Sequence, residues 1–260
     1  MMTHAIVGLL VALGISLAAR AARSLTTSGA VAATVVGTLA VTAGWSWGAL
    51  LILYFVSSTV LSKVGRLRKE ELTASIVAKG GRRDAIQVLA NGGVFAGAAV
   101  ATIVDPNAKW IALGVGSLAA AAADTWATEV GTLFGGTPRS ILTLRPVKPG
   151  TSGGVSLIGT LAAVGGAAFV AVVARLLGWA PKVATAIALG GIVGAVFDSL
   201  LGATVQSRRW CDACEEETER LRHDCGADTR RLRGLAWLDN DVVNFLSNAA
   251  GGILSALLVG

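Results

Sequence analysis

Hydrophobic positions in this chain fall into long uninterrupted blocks, and short polar or charged segments separate them. Eight blocks are long enough to cross a bilayer as helices. They cover roughly residues 4–19, 29–44, 46–62, 84–104, 110–131, 153–178, 183–205 and 241–259. Only a short Gly/Trp turn divides the second block from the third, so six or seven spans also fit. The pattern predicts an all-α, polytopic transmembrane helix bundle of about eight spans, with residues 1–260 as a single integral membrane domain.

Composition and charge add a topology to this bundle. Apolar residues make up 53% of the chain, charged residues 15%, and the mean hydropathy is +0.67. Nineteen of the twenty-two Lys and Arg follow the first, third, fifth and seventh spans. Basic loops stay cytoplasmic, so we expect an N-out, C-out protein of the cytoplasmic (inner) membrane. No nucleic-acid-binding motif accompanies these loops, and nucleic acid is not an expected partner.

Three carboxylates interrupt the apolar blocks at ends that this topology places on the cytoplasmic face: Asp124, Asp198 and Asp241. Charged groups at membrane depth are costly and mark functional sites by default. Glu129 follows Asp124 but does not share a straight helical face with it. Asn244 lies near Asp241, and oxygen ligands of this kind suit Mg²⁺. A buried polar network that fixes helix register is the alternative for each residue alone; together they favour a magnesium–phosphate site.

A glycine-rich turn and several basic or amide residues accompany the carboxylates. Lys148 begins the turn that leads into the sixth span, and backbone N–H groups ahead of a helix suit phosphate. The turn residues are Gly150, Thr151, Ser152, Gly153 and Gly154. Lys63, Arg82 and Arg83 are further candidate phosphate ligands, although Lys63 taken alone is better explained as a snorkelling anchor. Gln87 and Asn91 could contact a ligand or join two helices.

The cysteines all fall in the loop 207–238, which we expect to be cytoplasmic. Cys211, Cys214, His223 and Cys225 could supply a structural Cys₃His zinc site. The cytosol is reducing, so a disulfide is not expected. The alternative is three solvated thiols in a charged loop, with a surface helix over Glu215 to Glu219.

The motifs together resemble a known family. AADTWATEVG (122–131), KPGTSGGVSLIGT (148–160), FDSLLGATVQ (197–206) and LDNDVVNF (238–245) are similar to signatures of the integral membrane family that includes the plant phytyl-phosphate kinases of tocopherol synthesis. This group is also called domain of unknown function 92. The resemblance covers nearly the whole chain, and the motifs occur in order.

The resemblance implies phosphoryl transfer from CTP, or another nucleoside triphosphate, to a prenyl monophosphate such as phytyl or geranylgeranyl phosphate. Asp124, Asp198 and Asp241 would then bind Mg²⁺ with support from Glu129. Lys148 and the Gly150–Gly154 backbone would hold the nucleotide, and Lys63, Arg82 or Arg83 would neutralise the acceptor. A more distant similarity to CTP-using lipid enzymes leaves a cytidylyltransferase as an alternative. A transporter of a cation or a phosphorylated lipid is the alternative from another class, and it requires polar residues through the whole membrane depth.

Overall fold

A computed structural model describes residues 2–260 and shows nine helices and five short strands in that range. The helices are α1 (Met2–Ala21), α2 (Thr27–Ala43), α3 (Trp45–Lys63), α4 (Arg66–Thr73), α5 (Ala85–Val104), α6 (Ala108–Phe134), α7 (Leu157–Leu176), α8 (Pro181–Thr204) and α9 (Asn240–Val259). The strands are β1 (Arg139–Ser140), β2 (Gly154–Val155), β3 (Arg208–Cys211), β4 (Glu216–Thr218) and β5 (Arg230–Arg233).

All long helices coincide with predicted spans to within four residues at either end. Six of them are long and apolar enough to cross a membrane, namely α1, α3, α5, α7, α8 and α9. Helix α2 is shorter, with 17 residues, and α6 is not among the six. The helical membrane bundle is therefore confirmed, whereas the count of eight spans matches only roughly. Leucines such as Leu10, Leu176 and Leu257 stay largely exposed on the outer surface, where lipid would cover them.

Polar side chains fix where the helices begin. Helices α2, α5, α6, α7 and α9 have side-chain N-caps, which are Thr26, Asp84, Asn107, Ser156 and Asp239. Each cap accepts a hydrogen bond from a first-turn N–H that would otherwise have no partner. Between α2 and α3 the chain reverses at the single residue Gly44, whose φ is 148°. The second and third predicted spans are therefore two separate helices.

Helix α6 lies at the centre of the bundle, in contact with α7, α8 and α9. Every residue from Gly114 to Ala123 is buried. Small residues permit this approach: a Cβ on Gly191 would lie 2.8 Å from Ala119 Cβ, and one on Gly166 would lie 2.8 Å from the Ala122 carbonyl oxygen. Because protein rather than lipid surrounds α6, its far end can carry carboxylates.

The loops at one end of the bundle contain structure that the all-α prediction omitted. Strands β1 and β2 pair as an antiparallel ribbon, and β3 lies between β4 and β5 in a second sheet. The alternative to a zinc site placed a surface helix over Glu215 to Glu219, and that prediction was wrong. That segment is β4, and it pairs with β3 so that Thr218 lies opposite Arg209 and is buried. This run of charged residues would give a helix without an apolar face to pack against the protein. As a strand, the same segment needs to bury only one side chain, that of Thr218.

Candidate active site

A cavity of about 1160 Å³ lies where the C-terminal ends of α1, α3, α6 and α8 meet the N-terminal ends of α5, α7 and α9. Most of the predicted site residues line it. They are Lys63, Arg83, Gln87, Asn91, Asp124, Glu129, Gly150, Thr151, Ser152, Gly153, Gly154, Asp198, Asp241 and Asn244. Lys148 and Arg82 do not line it. Residues far apart in the chain therefore converge at one end of the bundle.

Three carboxylates were predicted to bind Mg²⁺. Of these, Asp124 and Asp198 form no ion pair within residues 2–260, whereas Asp241 does. Asp198 Oδ2 accepts a hydrogen bond from Ser247 Oγ at 2.9 Å. Asp124 forms no hydrogen bond or ion pair with any residue in the range 2–260. Both carboxylates line the same cavity. Two carboxylates without a counter-charge in one cavity would favour a cation.

Glu129 is held differently, although it belongs to the same continuous helix. Its Oε1 accepts from Ser62 Oγ at 2.5 Å, and its Oε2 forms an ion pair with Lys69. The Lys69 ammonium also donates to the Leu61 carbonyl at 2.8 Å and the Ser62 carbonyl at 3.2 Å. Glu129 thereby anchors α4 over the end of α3, where Lys69 occupies carbonyls that the helix leaves free.

Asp241 is almost completely buried and is paired with Lys79, a residue that the sequence did not predict as part of the site. Lys79 Nζ donates to Asp241 Oδ2 at 2.5 Å and to Asp84 Oδ2 at 3.0 Å. Burial opposes the charge of Lys79, but both carboxylates outweigh it and raise its pKa. For Asp84, the Gln87 N–H and Lys79 likewise outweigh burial and lower the pKa of the carboxyl. Lys79 is a fixed cation that joins the start of α5 to the start of α9.

The amide side chains divide between structure and the cavity. Gln87 closes a capping box, since its Oε1 accepts from the Asp84 N–H at 3.1 Å. Asn248 Nδ2 donates to the Ala90 carbonyl at 3.1 Å and lies 3.4 Å from Asn91 Oδ1, so this pair joins α5 to α9. Asn244 lines the cavity, and its side chain forms no hydrogen bond within residues 2–260.

The glycine-rich turn approaches the end of α8 very closely. Gly153 has φ 77°, and a Cβ there would lie 2.7 Å from both the nitrogen and the Cα of Ala203. The N–H groups of Gly150, Ser152 and Gly153 donate to no acceptor within residues 2–260. The turn does not run directly into the helix, because β2 and the Ser156 cap intervene before α7. The sixth span therefore begins at Leu157, four residues later than predicted.

The loop 207–238 clamps this turn from the side. Glu219 Oε1 accepts from Gln206 Nε2 at 2.8 Å and from the Ser152 hydroxyl. Arg208 donates to the Ser152 carbonyl. Burial raises the pKa of Glu219, although Ser152 and the Arg208 charge oppose the rise. Lys148 points away from the cavity, and its Nζ binds Glu216 Oε2 at 2.9 Å.

Three cations surround the α1–α2 loop at the opposite side of the cavity. Lys63 Nζ donates to the Ala22 carbonyl at 3.3 Å, next to Arg23. The Arg83 backbone pairs with Ser24 and Thr26 of the same loop. Lys63, Arg23 and Arg83 all line the cavity and form no ion pair with a residue in the described chain. The positive charge of this basic cluster would attract an anion.

The four predicted zinc ligands meet in the sheet region. Ligand atoms of Cys211, Cys214, His223 and Cys225 all lie within 4.8 Å of one another. Cys211 Sγ is 3.6 Å and His223 Nδ1 is 3.4 Å from Cys225 Sγ. A backbone hydrogen bond from Ala227 and one from His223 lower the pKa of Cys225 to about 6. Hydrogen bonding with Cys225 raises the pKa of Cys214 to about 12. The donor set fits a tetrahedral Cys₃His centre.

Sequence reasoning missed Lys79, Lys69, Arg23 and Glu219 as parts of the site. Lys79 lies in a basic segment with two glycines just before the Asp84 cap, and this pattern could have indicated that it belongs to the site. Glu219 lies in a run of charged residues and gave no such signal, because its partner Ser152 is 67 residues away.

The comparisons with known proteins agree with this architecture. The family model of integral membrane protein DUF92 matches residues 10–252. This chain belongs to the DUF92 family. Protein PGR of Arabidopsis thaliana is 31% identical over 264 residues, which cover 90% of this chain and 89% of PGR. Protein VTE6, chloroplastic, of the same plant is 31% identical over 90% of this chain and 65% of VTE6. An uncharacterized membrane protein of Methanocaldococcus jannaschii is 28% identical over 97% of this chain. No solved structure matches.

Proposed function

We propose that this protein transfers a phosphoryl group from a nucleoside triphosphate, preferably CTP, to a prenyl monophosphate in the membrane. The product is the prenyl diphosphate. One observation carries the proposal: two carboxylates without a counter-charge, a turn with free N–H groups and a basic cluster line a single cavity. The resemblance to the phytyl-phosphate kinase family supplies the substrate class.

Of the three carboxylates predicted to bind Mg²⁺, Asp124 and Asp198 have no basic partner and fit the metal. Magnesium in such enzymes is held by one or two carboxylates together with waters and substrate phosphates. When bound, it would neutralise the charge of the transferred phosphoryl group. Asp241 and Glu129 each hold a lysine, Lys79 and Lys69. We assign these two carboxylates to positioning rather than to the metal.

The reaction needs no general base, because the acceptor phosphate is already anionic. Its oxygen attacks the γ-phosphorus, the bond from that phosphorus to the β-phosphate oxygen breaks, and the nucleoside diphosphate leaves. The free N–H groups of Ser152 and Gly153 hold nucleotide phosphates. Lys63 and Arg83 neutralise the acceptor phosphate. Catalysis by positioning and charge neutralisation is typical of phosphoryl transfer.

The opposite end of the bundle argues against a transporter. The buried core there consists of side chains such as Trp47, Phe95, Val115 and Ile187, which are at most 3% exposed. This apolar packing fills the region where a transporter would need polar groups. The polar cavity opens on one side only of that core.

We propose that this side is the cytoplasmic face, because it carries nineteen of the twenty-two Lys and Arg. Soluble nucleotide would then reach the site directly. The measurement is membrane-impermeant thiol labelling in intact cells of a cysteine introduced into 140–150. We expect protection in intact cells and labelling after lysis. Labelling from outside would contradict the orientation.

We also propose that the Cys₃His cluster binds a structural Zn²⁺. The fit rests on the donor set and on the distances between its atoms. His223 Nε2 lies 3.4 Å from Glu216 Oε1, so a carboxylate is placed to orient the ring. Since Glu216 also binds Lys148, this centre would brace the glycine-rich turn without touching phosphate.

The test of function uses purified protein, Mg²⁺ and CTP labelled either at the γ- or at the α-phosphate. Acceptors are prenyl alcohols and prenyl monophosphates. We expect γ-label, and no α-label, in a prenyl diphosphate product. Label from the α-phosphate would identify a cytidylyltransferase instead. Product formed from alcohols but not from monophosphates would refute the acceptor assignment, and no lipid product at all would refute the kinase.

A further inference from the structure

A second cavity lies between α1, α2, α3 and α5, and its wall is almost entirely apolar. Aliphatic and aromatic side chains form it, including Ile15, Val36, Leu51 and Phe55. Along α1 the lining extends from Val11 to Ala19, which corresponds to a depth of about 12 Å at 1.5 Å per residue. The cavity is therefore a slot within the bundle that suits a hydrocarbon chain.

One end of this slot adjoins the polar cavity. Arg83, Gln87 and Asn91 line both cavities, so the two meet at these three residues. The Arg83 backbone is fixed by Ser24 and Thr26, and its side chain forms no hydrogen bond or ion pair within residues 2–260. An apolar slot that ends at a free guanidinium is complementary to an amphiphile with an anionic head.

We propose that this slot binds the isoprenoid chain of a lipid phosphate, with the phosphate at the Lys63, Arg23 and Arg83 cluster. The identity of the acceptor rests on the proposed function, whereas the slot itself rests on the geometry. Its depth is less than the roughly 30 Å of the bilayer core. The slot thus encloses the part of the chain nearest the phosphate, and a longer chain continues into lipid. This arrangement would hold the head group at the site where nucleotide binds.

The glycines of α5 offer a matched pair of variants. A Cβ on Gly92 would lie 3.4 Å from Val36 Cγ1, an ordinary contact, so a larger side chain there fills the slot without displacing backbone. Gly97 is on the same helix, is exposed, and has no atom within 4 Å of its Cβ position. Gly92→Val narrows the slot, and Gly97→Val places the same side chain outside it.

With geranylgeranyl phosphate as acceptor, we expect Gly92→Val to lower kcat/KM about tenfold or more, as misfits in apolar pockets do. With dimethylallyl phosphate, whose five-carbon chain fills less of the slot, we expect a smaller loss. Gly97→Val should match the unaltered protein with both acceptors. Equal losses with both acceptors, or no loss with either, would overturn the proposal.

A binding measurement separates this proposal from the kinase activity. A geranylgeranyl phosphate analogue with a photoreactive group near the middle of its chain is cross-linked to the purified protein, and the labelled peptides are identified. We expect labelling in α2 and α5 that Gly92→Val reduces and Gly97→Val does not. Labelling spread over the lipid-facing surface, or concentrated in α8 and α9, would refute the slot even if turnover is normal. Specific labelling without turnover would retain the slot and reject the kinase.

Discussion

Gly153 is the position where the structure predicts the sharpest effect of a single methyl group. Its φ of 77° is a left-handed conformation, which costs an L-residue roughly 1–2 kcal/mol. The new Cβ of Gly153→Ala would also lie 2.5 Å from Ala203 Cβ and 2.7 Å from Ala203 nitrogen. Backbone cannot rotate away as a side chain can, so the turn or the end of α8 must shift. Overpacking of this kind costs about 1–3 kcal/mol.

Gly136→Ala is the matched control. Gly136 has a similar φ of 66°, but no atom lies within 4 Å of its Cβ position. Both variants place an alanine at a positive φ and lose the same conformational free energy. Gly153→Ala also adds the close contact with Ala203. We expect its free energy of unfolding to be lower than that of Gly136→Ala by about 1–3 kcal/mol, or roughly 2–12 °C in Tm.

The assay is thermal unfolding in detergent, with CTP-dependent turnover measured well below both midpoints. Gly153→Ala should also raise the KM for nucleotide, because the displaced turn carries the free N–H groups of Ser152 and Gly153. Gly136→Ala should raise the KM less, because Gly136 lines the same cavity but its new Cβ displaces no neighbouring atom. Equal midpoints for the two variants would refute the close approach to Ala203. A normal KM in Gly153→Ala would refute the role of the turn in binding phosphate.

Three further predictions concern the carboxylates and the metal centre. Asp198→Asn should abolish Mg²⁺-dependent turnover in a protein that still folds, because a ligand charge is lost. The control Asp105→Asn, at the opposite end of the bundle, should be as active as the unaltered protein. A normal kcat in Asp198→Asn would make that residue structural. Cys211→Ser combined with Cys214→Ser should remove about one zinc per chain, lower the Tm and reduce activity in part. If the parent protein contains no zinc and the double variant has an unchanged Tm, the cysteines are ordinary thiols and not metal ligands. The pKa of Asp84 is lowered by folding, so its stabilising contribution is present above its unfolded pKa and is lost as the pH falls through the folded value. Asp84→Asn should therefore weaken the acid dependence of the Tm, and an unchanged dependence would show that the capping box and Lys79 contribute nothing.

The sequence alone determined the helical membrane architecture and named most of the candidate site residues. A bilayer core accepts only a backbone that satisfies its own hydrogen bonds, so blocks of apolar residues had to become helices with nearly the predicted ends. Carboxylates such as Asp124 and Asp198 stood out because their cost in hydrocarbon is large wherever they point. The close spacing of Cys211 and Cys214 likewise made a zinc site one of two interpretations of the loop, since ligand spacing is a local property.

Tertiary structure alone decided which of these groups are free and which are paired. Hydropathy indicates whether a position faces an apolar or a polar environment. An ion pair depends instead on the distance between loops that lie far apart in the sequence. Lys79 and Asp241 are 162 residues apart and are nevertheless in contact, and Lys148 is turned from the cavity by Glu216. The apolar slot is also a property of packing, because it exists only where four separate helices fail to fill the space between them.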